Sequence, residues 1–190
     1  MLPGLGLELG RKRYHTGLHR PPVFSHTASE WRRQDTAWTD GSRIDSGEVG
    51  AACVWQSPNG WTGRRFHLGT NKEVFDAEKF AIYQALRVLD QRQESGRRYT
   101  VFVDSTAAID RMKTDALGRG QHFAIAAMEV CGLVLARDNE MTIHWVLAHS
   151  RVAGNEKADE FVKAAQSAPC NGDGVLDELR DEASLSSSRA

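Results

Sequence analysis

The segment from 141 to 165 constrains the fold most, because it contains a strand, a helix and two titratable side chains at their junction. Residues 141–147 form an apolar run rich in β-branched and aromatic side chains, which predicts a buried strand. Apolar residues then recur at helical spacing over 156–165, and Gly154-Asn155 predicts a turn and N-cap before that helix. His149 follows the strand, and Asp159 falls in the first turns of the helix. We therefore expect these two side chains to converge on one pocket.

The remaining periodicity predicts a mixed α/β fold. Three short strands joined by tight turns indicate an antiparallel meander, and the later strands alternate with helices. The predicted elements are strands at 36–42, 49–55, 61–68 and 99–103, with helices at 74–89, 107–112 and 121–137. With the strand at 141–147, this order predicts a five-stranded mixed sheet, three antiparallel strands followed by parallel strands, flanked by helices.

The distribution of charge and the positions of glycine and proline divide the 190 residues into three parts. Residues 1–34 read as a basic extension or linker, which we expect to be poorly ordered; positions 1–33 hold six Lys/Arg against two acids. Residues 35–167 carry the periodic pattern of one domain. Residues 168–190 form an acidic, Ser-rich tail that we expect to be disordered.

Composition favours an intracellular protein, nuclear or cytoplasmic. No apolar run approaches the ~20 residues that a membrane-spanning helix needs. Three cysteines form no Cys-x-x-Cys pair, and an odd count is typical of reduced thiols.

Three further acids fall where a site could form. Asp40 lies in a predicted strand just before a glycine, Glu78 on the apolar face of a helix, and Asp104 at the end of a buried strand. Each acid taken alone can have an ordinary structural role, such as helix capping for Asp104 or a boundary position for Glu78. Together with Asp159, however, four carboxylates in one pocket could not all stay ionised without cations. Carboxylates are the ligands that Mg²⁺ or Mn²⁺ prefers.

These residues resemble the four motifs of type 1 ribonuclease H. The motifs are Thr39-Asp40-Gly41-Ser42, Phe75 to Glu78, Phe102 to Ser105, and His149 to Asp159. The ribonuclease H domain of non-LTR retrotransposons is the most similar branch, judged by Leu68 to Asn71 and by the Gly-Asn-Glu-Lys-Ala-Asp ending.

The resemblance implies a function. It implies an endonuclease that hydrolyses the RNA strand of RNA–DNA hybrids to 5′-phosphate products, with two Mg²⁺ ions, or Mn²⁺ in their place. The implied metal ligands are Asp40, Glu78, Asp104 and Asp159. It implies that His149 shuttles protons or assists product release. Candidate substrate contacts are Ser42, Asn71, Ser105 and Asn155. The implied partners are an RNA–DNA hybrid and an upstream reverse transcriptase domain.

The sequence supports other functions less well. A proofreading exonuclease on this fold would need Asp-x-Glu where the chain has Asp40-Gly41-Ser42, and a serine hydrolase would need a Gly-x-Ser-x-Gly motif that the sequence lacks. The serious alternative is a catalytically silent retroelement relic that binds nucleic acid without cutting it.

Overall fold

The computed structural model describes residues 5–8, 34–58, 60–113, 121–148 and 152–167. Within these ranges, the strands are β1 Leu5–Glu8, β2 Gln34–Arg43, β3 Val49–Ser57, β4 Gly60–Gly69, β5 Arg98–Val103 and β6 Glu140–Trp145. The helices are α1 Val74–Gln91, α2 Thr106–Met112, α3 Gln121–Leu135 and α4 Ala153–Gln166.

The strands form one mixed sheet in the order β1-β6-β5-β2-β3-β4. Strand β2 pairs antiparallel with β3 and parallel with β5, and β5 pairs parallel with β6. Strands β3 and β4 complete the antiparallel meander. The predicted five-stranded mixed sheet, with three antiparallel strands followed by parallel strands, is thus confirmed.

A sixth strand extends the sheet beyond the prediction. Strand β1 pairs parallel with β6, with Leu5 opposite Met141. It lies inside the segment that the sequence analysis assigns to an N-terminal extension. Glycines interrupt the apolar residues of 1–10, so no periodic signal indicates a strand there.

Helices cover both faces of the sheet, and strand β2 contacts both layers. Side chains alternate along a strand, and a Cβ at Gly41 would lie 2.9 Å from the Ala77 side chain of α1. Trp38, on the other face, lies against Gly154 of α4. The core between the sheet and α1 is apolar, with Phe80 and Tyr83 fully buried. Among the described residues, no helix has the length and apolar character needed to span a bilayer.

The last helix begins earlier than the sequence predicts. Helix α4 starts at Ala153 with Val152 as its N-cap, so Gly154 and Asn155 are helical rather than a turn. A Cβ on Gly154 would overlap the indole ring of Trp38. The glycine is therefore required by close packing on an aromatic ring, which local sequence signals do not distinguish from a turn.

Candidate metal centre and active site

Strand β2 delivers the first carboxylate. Asp40 is buried beside the antiparallel partner β3, opposite Ala52, at 7% exposure. The preceding residue, Thr39, donates its hydroxyl to the Phe102 carbonyl of β5 at 3.2 Å. This bond fixes β2 against the strand that leads to Asp104.

Gly41 brings helix α1 against β2. A Cβ at this position would lie 2.5 Å from the backbone nitrogen of Glu78 and 2.6 Å from the carbonyl carbon of Ala77. Since real Cβ atoms do not approach backbone so closely, only glycine allows this contact. The Gly41 backbone N–H also donates a hydrogen bond to the Glu78 carboxylate. Gly41 thus places the second acid beside the first.

Glu78 is a buried acid whose carboxyl group lacks a full set of hydrogen-bond partners. It is 7% exposed, and its Oε2 has no hydrogen-bond partner. Burial raises the pKa of Glu78 well above its usual range, with repulsion from Asp104 and then Asp40 adding to the effect, and the Gly41 hydrogen bond opposing it. A buried carboxyl with an orphaned oxygen and two acidic neighbours needs either a proton or a cation.

The third carboxylate follows β5. Asp104 is half-buried, and its carbonyl oxygen accepts a hydrogen bond from Trp145 Nε1 at 3.0 Å. The next residue, Ser105, caps α2 by accepting from the Ala108 backbone N–H at 3.2 Å. Asp104 is therefore held by a neighbouring strand on one side and by a helix start on the other.

These three acids converge. One carboxylate oxygen from each of Asp40, Glu78 and Asp104 lies within 4.8 Å of the other two. They line a cavity of about 340 Å³ whose walls are Asp40, Gly41, Ser42, Glu78, Asp104, Ser105, Ala148, Asn155 and Asp159. The donor set is hard oxygen, and the unpaired Glu78 oxygen is available, so the residues fit a divalent cation such as Mg²⁺.

Helix α4 contributes Asn155 and Asp159 to the cavity wall. Asp159 lies outside the three-carboxylate cluster, and Lys163 Nζ donates to its Oδ2 at 2.6 Å. Asn155 is 3% exposed, with its Oδ1 buried and unpartnered. The structure thus brings the fourth predicted acid to the same cavity, with a lysine partner.

Two predicted site residues stand apart from this group. Asn71 is exposed in the turn between β4 and α1 and does not line the cavity. His149 lies outside the described residues, which resume at Val152. Ser42, Ser105 and Asn155 do line the cavity.

Three residues that shape this site are not among the predicted site residues. These are Gly41, through its contact with α1; Trp145, through its bond to the Asp104 carbonyl; and Gln166, which bonds to Ser42. Gly41 had a signal, since a glycine directly after a strand acid indicates a close backbone approach. The other two had none, because their partners lie 41 and 124 positions away.

The chain matches a protein family and solved structures. The RNase H family model matches residues 32–167. An RNase H1 from the halophilic archaeon Halobacterium salinarum NRC-1 is 18% identical, with a TM-score of 0.52, over 70% of this chain and 96% of that chain. The N-terminal RNase H domain of a Mycobacterium tuberculosis protein, solved as a fusion with maltose-binding protein, is 15% identical, with a TM-score of 0.55, over 70% of this chain and 99% of that chain.

No curated protein is similar enough in sequence to match. At these identities the two structures support the fold alone, whereas the family model covers well over half of the chain. The chain therefore belongs to the RNase H family.

Proposed function

We propose that this chain is an endonuclease that hydrolyses the RNA strand of RNA–DNA hybrids and leaves 5′-phosphate products. The observation that supports this most directly is the convergence of Asp40, Glu78 and Asp104 within 4.8 Å in a chain of the RNase H family. Asn155 and two serine hydroxyls on the same wall are suited to contact phosphate or sugar oxygens.

Asp40, Glu78 and Asp104 would hold divalent cations, two Mg²⁺ ions or Mn²⁺ in their place, with Asp159 completing the ligand set from α4. When bound, such cations activate water and stabilise the leaving oxygen in phosphoryl transfer. The Gly41 N–H keeps the Glu78 carboxylate facing the cavity, and the Trp145 indole holds the Asp104 backbone in place. We assign His149 to proton transfer or product release, as the family motif implies.

We also propose that the chain belongs to the retrotransposon branch of the family. This is supported by Leu68 to Asn71 and by the Gly-Asn-Glu-Lys-Ala-Asp sequence that ends the last motif at Asp159. An upstream reverse transcriptase domain would be the expected partner. The competing proposal, a silent relic that binds nucleic acid, differs in one measurable respect, because it would bind hybrid without cutting it.

The first test is cleavage of a labelled RNA–DNA hybrid, beside duplex RNA and single-stranded RNA, in Mg²⁺ and in EDTA. We expect cutting of the hybrid alone, and only with Mg²⁺. Binding without cutting, by a folded sample, would favour the relic. Cutting in EDTA would contradict the role of the carboxylates.

The Asp40→Asn variant should abolish hybrid cleavage and leave folding intact. The substitution removes a charged metal ligand but conserves side-chain shape, so the circular dichroism spectrum should match the parent. Asp45→Asn is the matched control, because Asp45 is exposed in the turn after β2. An Asp40→Asn protein with parental activity would refute the assignment of Asp40 as a ligand.

A further inference from the structure

Gln166 connects the end of α4 to the strand that carries Asp40. It is the last residue of α4 and only 5% exposed. Its Nε2 donates to two atoms of Ser42, the carbonyl oxygen and Oγ, each at 2.9 Å. The two residues are 124 positions apart, so this contact exists only in the folded chain.

The orientation of the Gln166 amide is determined by its partner. A backbone carbonyl can only accept, so the nitrogen of the amide, not its oxygen, must face Ser42. This leaves Gln166 Oε1 buried and without a hydrogen-bond partner. An unpaired buried oxygen is unfavourable.

The bond also determines what Ser42 can do. A serine hydroxyl carries one hydrogen and can accept at its lone pairs. Because Oγ accepts from Gln166, its own hydrogen points elsewhere, and no described residue accepts it. Ser42 lines the cavity that contains Asp40 and Asp104. The Ser42 hydroxyl can therefore donate its hydrogen to a ligand in this cavity.

We propose that Gln166 is a positioning residue that holds the Ser42 hydroxyl as a hydrogen-bond donor to an oxygen acceptor on the nucleic-acid backbone, a phosphate or a 2′-hydroxyl. This inference rests on the proposed function, since it takes nucleic acid as the ligand of the cavity. Gln166 itself touches no substrate; it acts through Ser42.

A double-mutant cycle tests whether Gln166 acts through Ser42. Gln166→Met keeps the length and packing of the side chain but removes the donor, so the Ser42 hydroxyl can rotate. Ser42→Ala removes the hydroxyl itself. We expect each variant to raise KM for hybrid, and Kd measured by fluorescence anisotropy in EDTA, by about three- to tenfold, with kcat unchanged. The double variant should be no worse than either single one.

Gln166→Glu provides a second comparison. Its carboxylate can only accept, so it would draw the Ser42 hydrogen away from the cavity and should weaken binding more than Gln166→Met. Gln56→Met is the matched control, because Gln56 is exposed on β3 and should behave like the parent. Thermal unfolding of every variant separates weakened binding from loss of folded protein.

The outcomes distinguish the two proposals. If the parent protein folds but neither binds nor cuts hybrid, the proposed function is wrong. If the parent cuts hybrid but the two substitutions act additively, or if kcat falls with unchanged KM, Gln166 has a merely structural role and the inference is overturned. A DNA duplex of the same sequence identifies the acceptor: equal weakening by Gln166→Met on both duplexes indicates phosphate, and weakening on the hybrid alone indicates the 2′-hydroxyl.

Discussion

Glu78 shows how one buried residue couples stability to metal binding. Its carboxyl is buried beside two other acids and accepts one backbone hydrogen bond, which does not fully compensate for the loss of hydration. In the absence of a cation, ionising this group works against folding. The residue that is best placed to bind metal is therefore expected to cost stability when metal is removed.

Glu78→Gln should stabilise the cation-free protein at alkaline pH. Because burial raises the pKa of Glu78 in the folded state, the folded form binds its proton more tightly than the unfolded form. The free energy of unfolding then falls as pH rises from about 4.3, the unperturbed value, through the raised folded pKa. Glutamine stays neutral, so the variant should lose most of this slope and unfold at a higher temperature than the parent in EDTA at pH 8.

The same measurement in Mg²⁺ should reverse the order. Mg²⁺ raises the unfolding temperature of a protein that binds it in the folded state, and Glu78→Gln should lose most of that increase. Glu129→Gln is the matched control, because Glu129 is exposed on α3. If Glu78→Gln is less stable than the parent in EDTA at pH 8, the prediction is wrong, because other groups then compensate the negative charge of the Glu78 carboxylate.

At the scale of elements, close packing places α4 where Asp159 can reach the cavity. Gly154 in the first turn lies against the Trp38 ring of β2, which in turn stacks on Phe102 of β5 with ring centroids 4.1 Å apart. The absence of a side chain at Gly154 allows this approach. The position of the helix thus depends on one glycine and a stacked aromatic pair.

Gly154→Ala should destabilise the protein by about 1–3 kcal/mol, the usual cost of overpacking, because its methyl group would overlap the indole of Trp38. Urea unfolding measures the decrease in stability. In a Trp38→Leu background the same substitution should cost clearly less, since the overlapping ring is gone. An equal cost in both backgrounds would show that contact with Trp38 is not the reason for the glycine.

At the scale of the whole molecule, charge is distributed unevenly along the chain. The N-terminal 33 residues hold a formal +4, whereas residues 34–167 hold 16 Lys/Arg against 18 acids. A domain with this balance has little electrostatic attraction for a polyanion before it binds cations. We expect the basic extension to supply part of the affinity for hybrid.

Replacing Arg11, Lys12 and Arg13 by Gln should weaken hybrid binding and reduce its dependence on salt. Removing one contact to phosphate lowers the slope of log K against log salt by about 0.7–0.9, so a decrease of about one to three is expected. Anisotropy titrations between 50 and 200 mM salt, about the range in which such contacts matter, measure it. Replacing Arg180 and Arg189 in the acidic tail should leave the slope unchanged. An unchanged slope for the triple variant would show that Arg11, Lys12 and Arg13 make no contact with phosphate.

The sequence by itself determined the five-stranded mixed sheet, the helices that flank it and the order of the four motifs. Those properties are encoded locally, in hydrophobic periodicity and turn residues. The sequence also shows, without coordinates, that Asp40 lies in a strand, Glu78 on the apolar face of a helix and Asp104 at the end of a strand. The family followed from the motif order and was confirmed by the match over 32–167.

Only the tertiary structure decided how those acids are held. The Gly41 contact with α1, the Trp145 bond to Asp104 and the Gln166 bond to Ser42 join residues far apart in sequence. The sixth strand, Leu5–Glu8, likewise exists through pairing with β6 rather than through its own pattern. The physical reason is that periodicity reports which face of an element is buried, whereas hydrogen bonds and close contacts depend on which elements become neighbours.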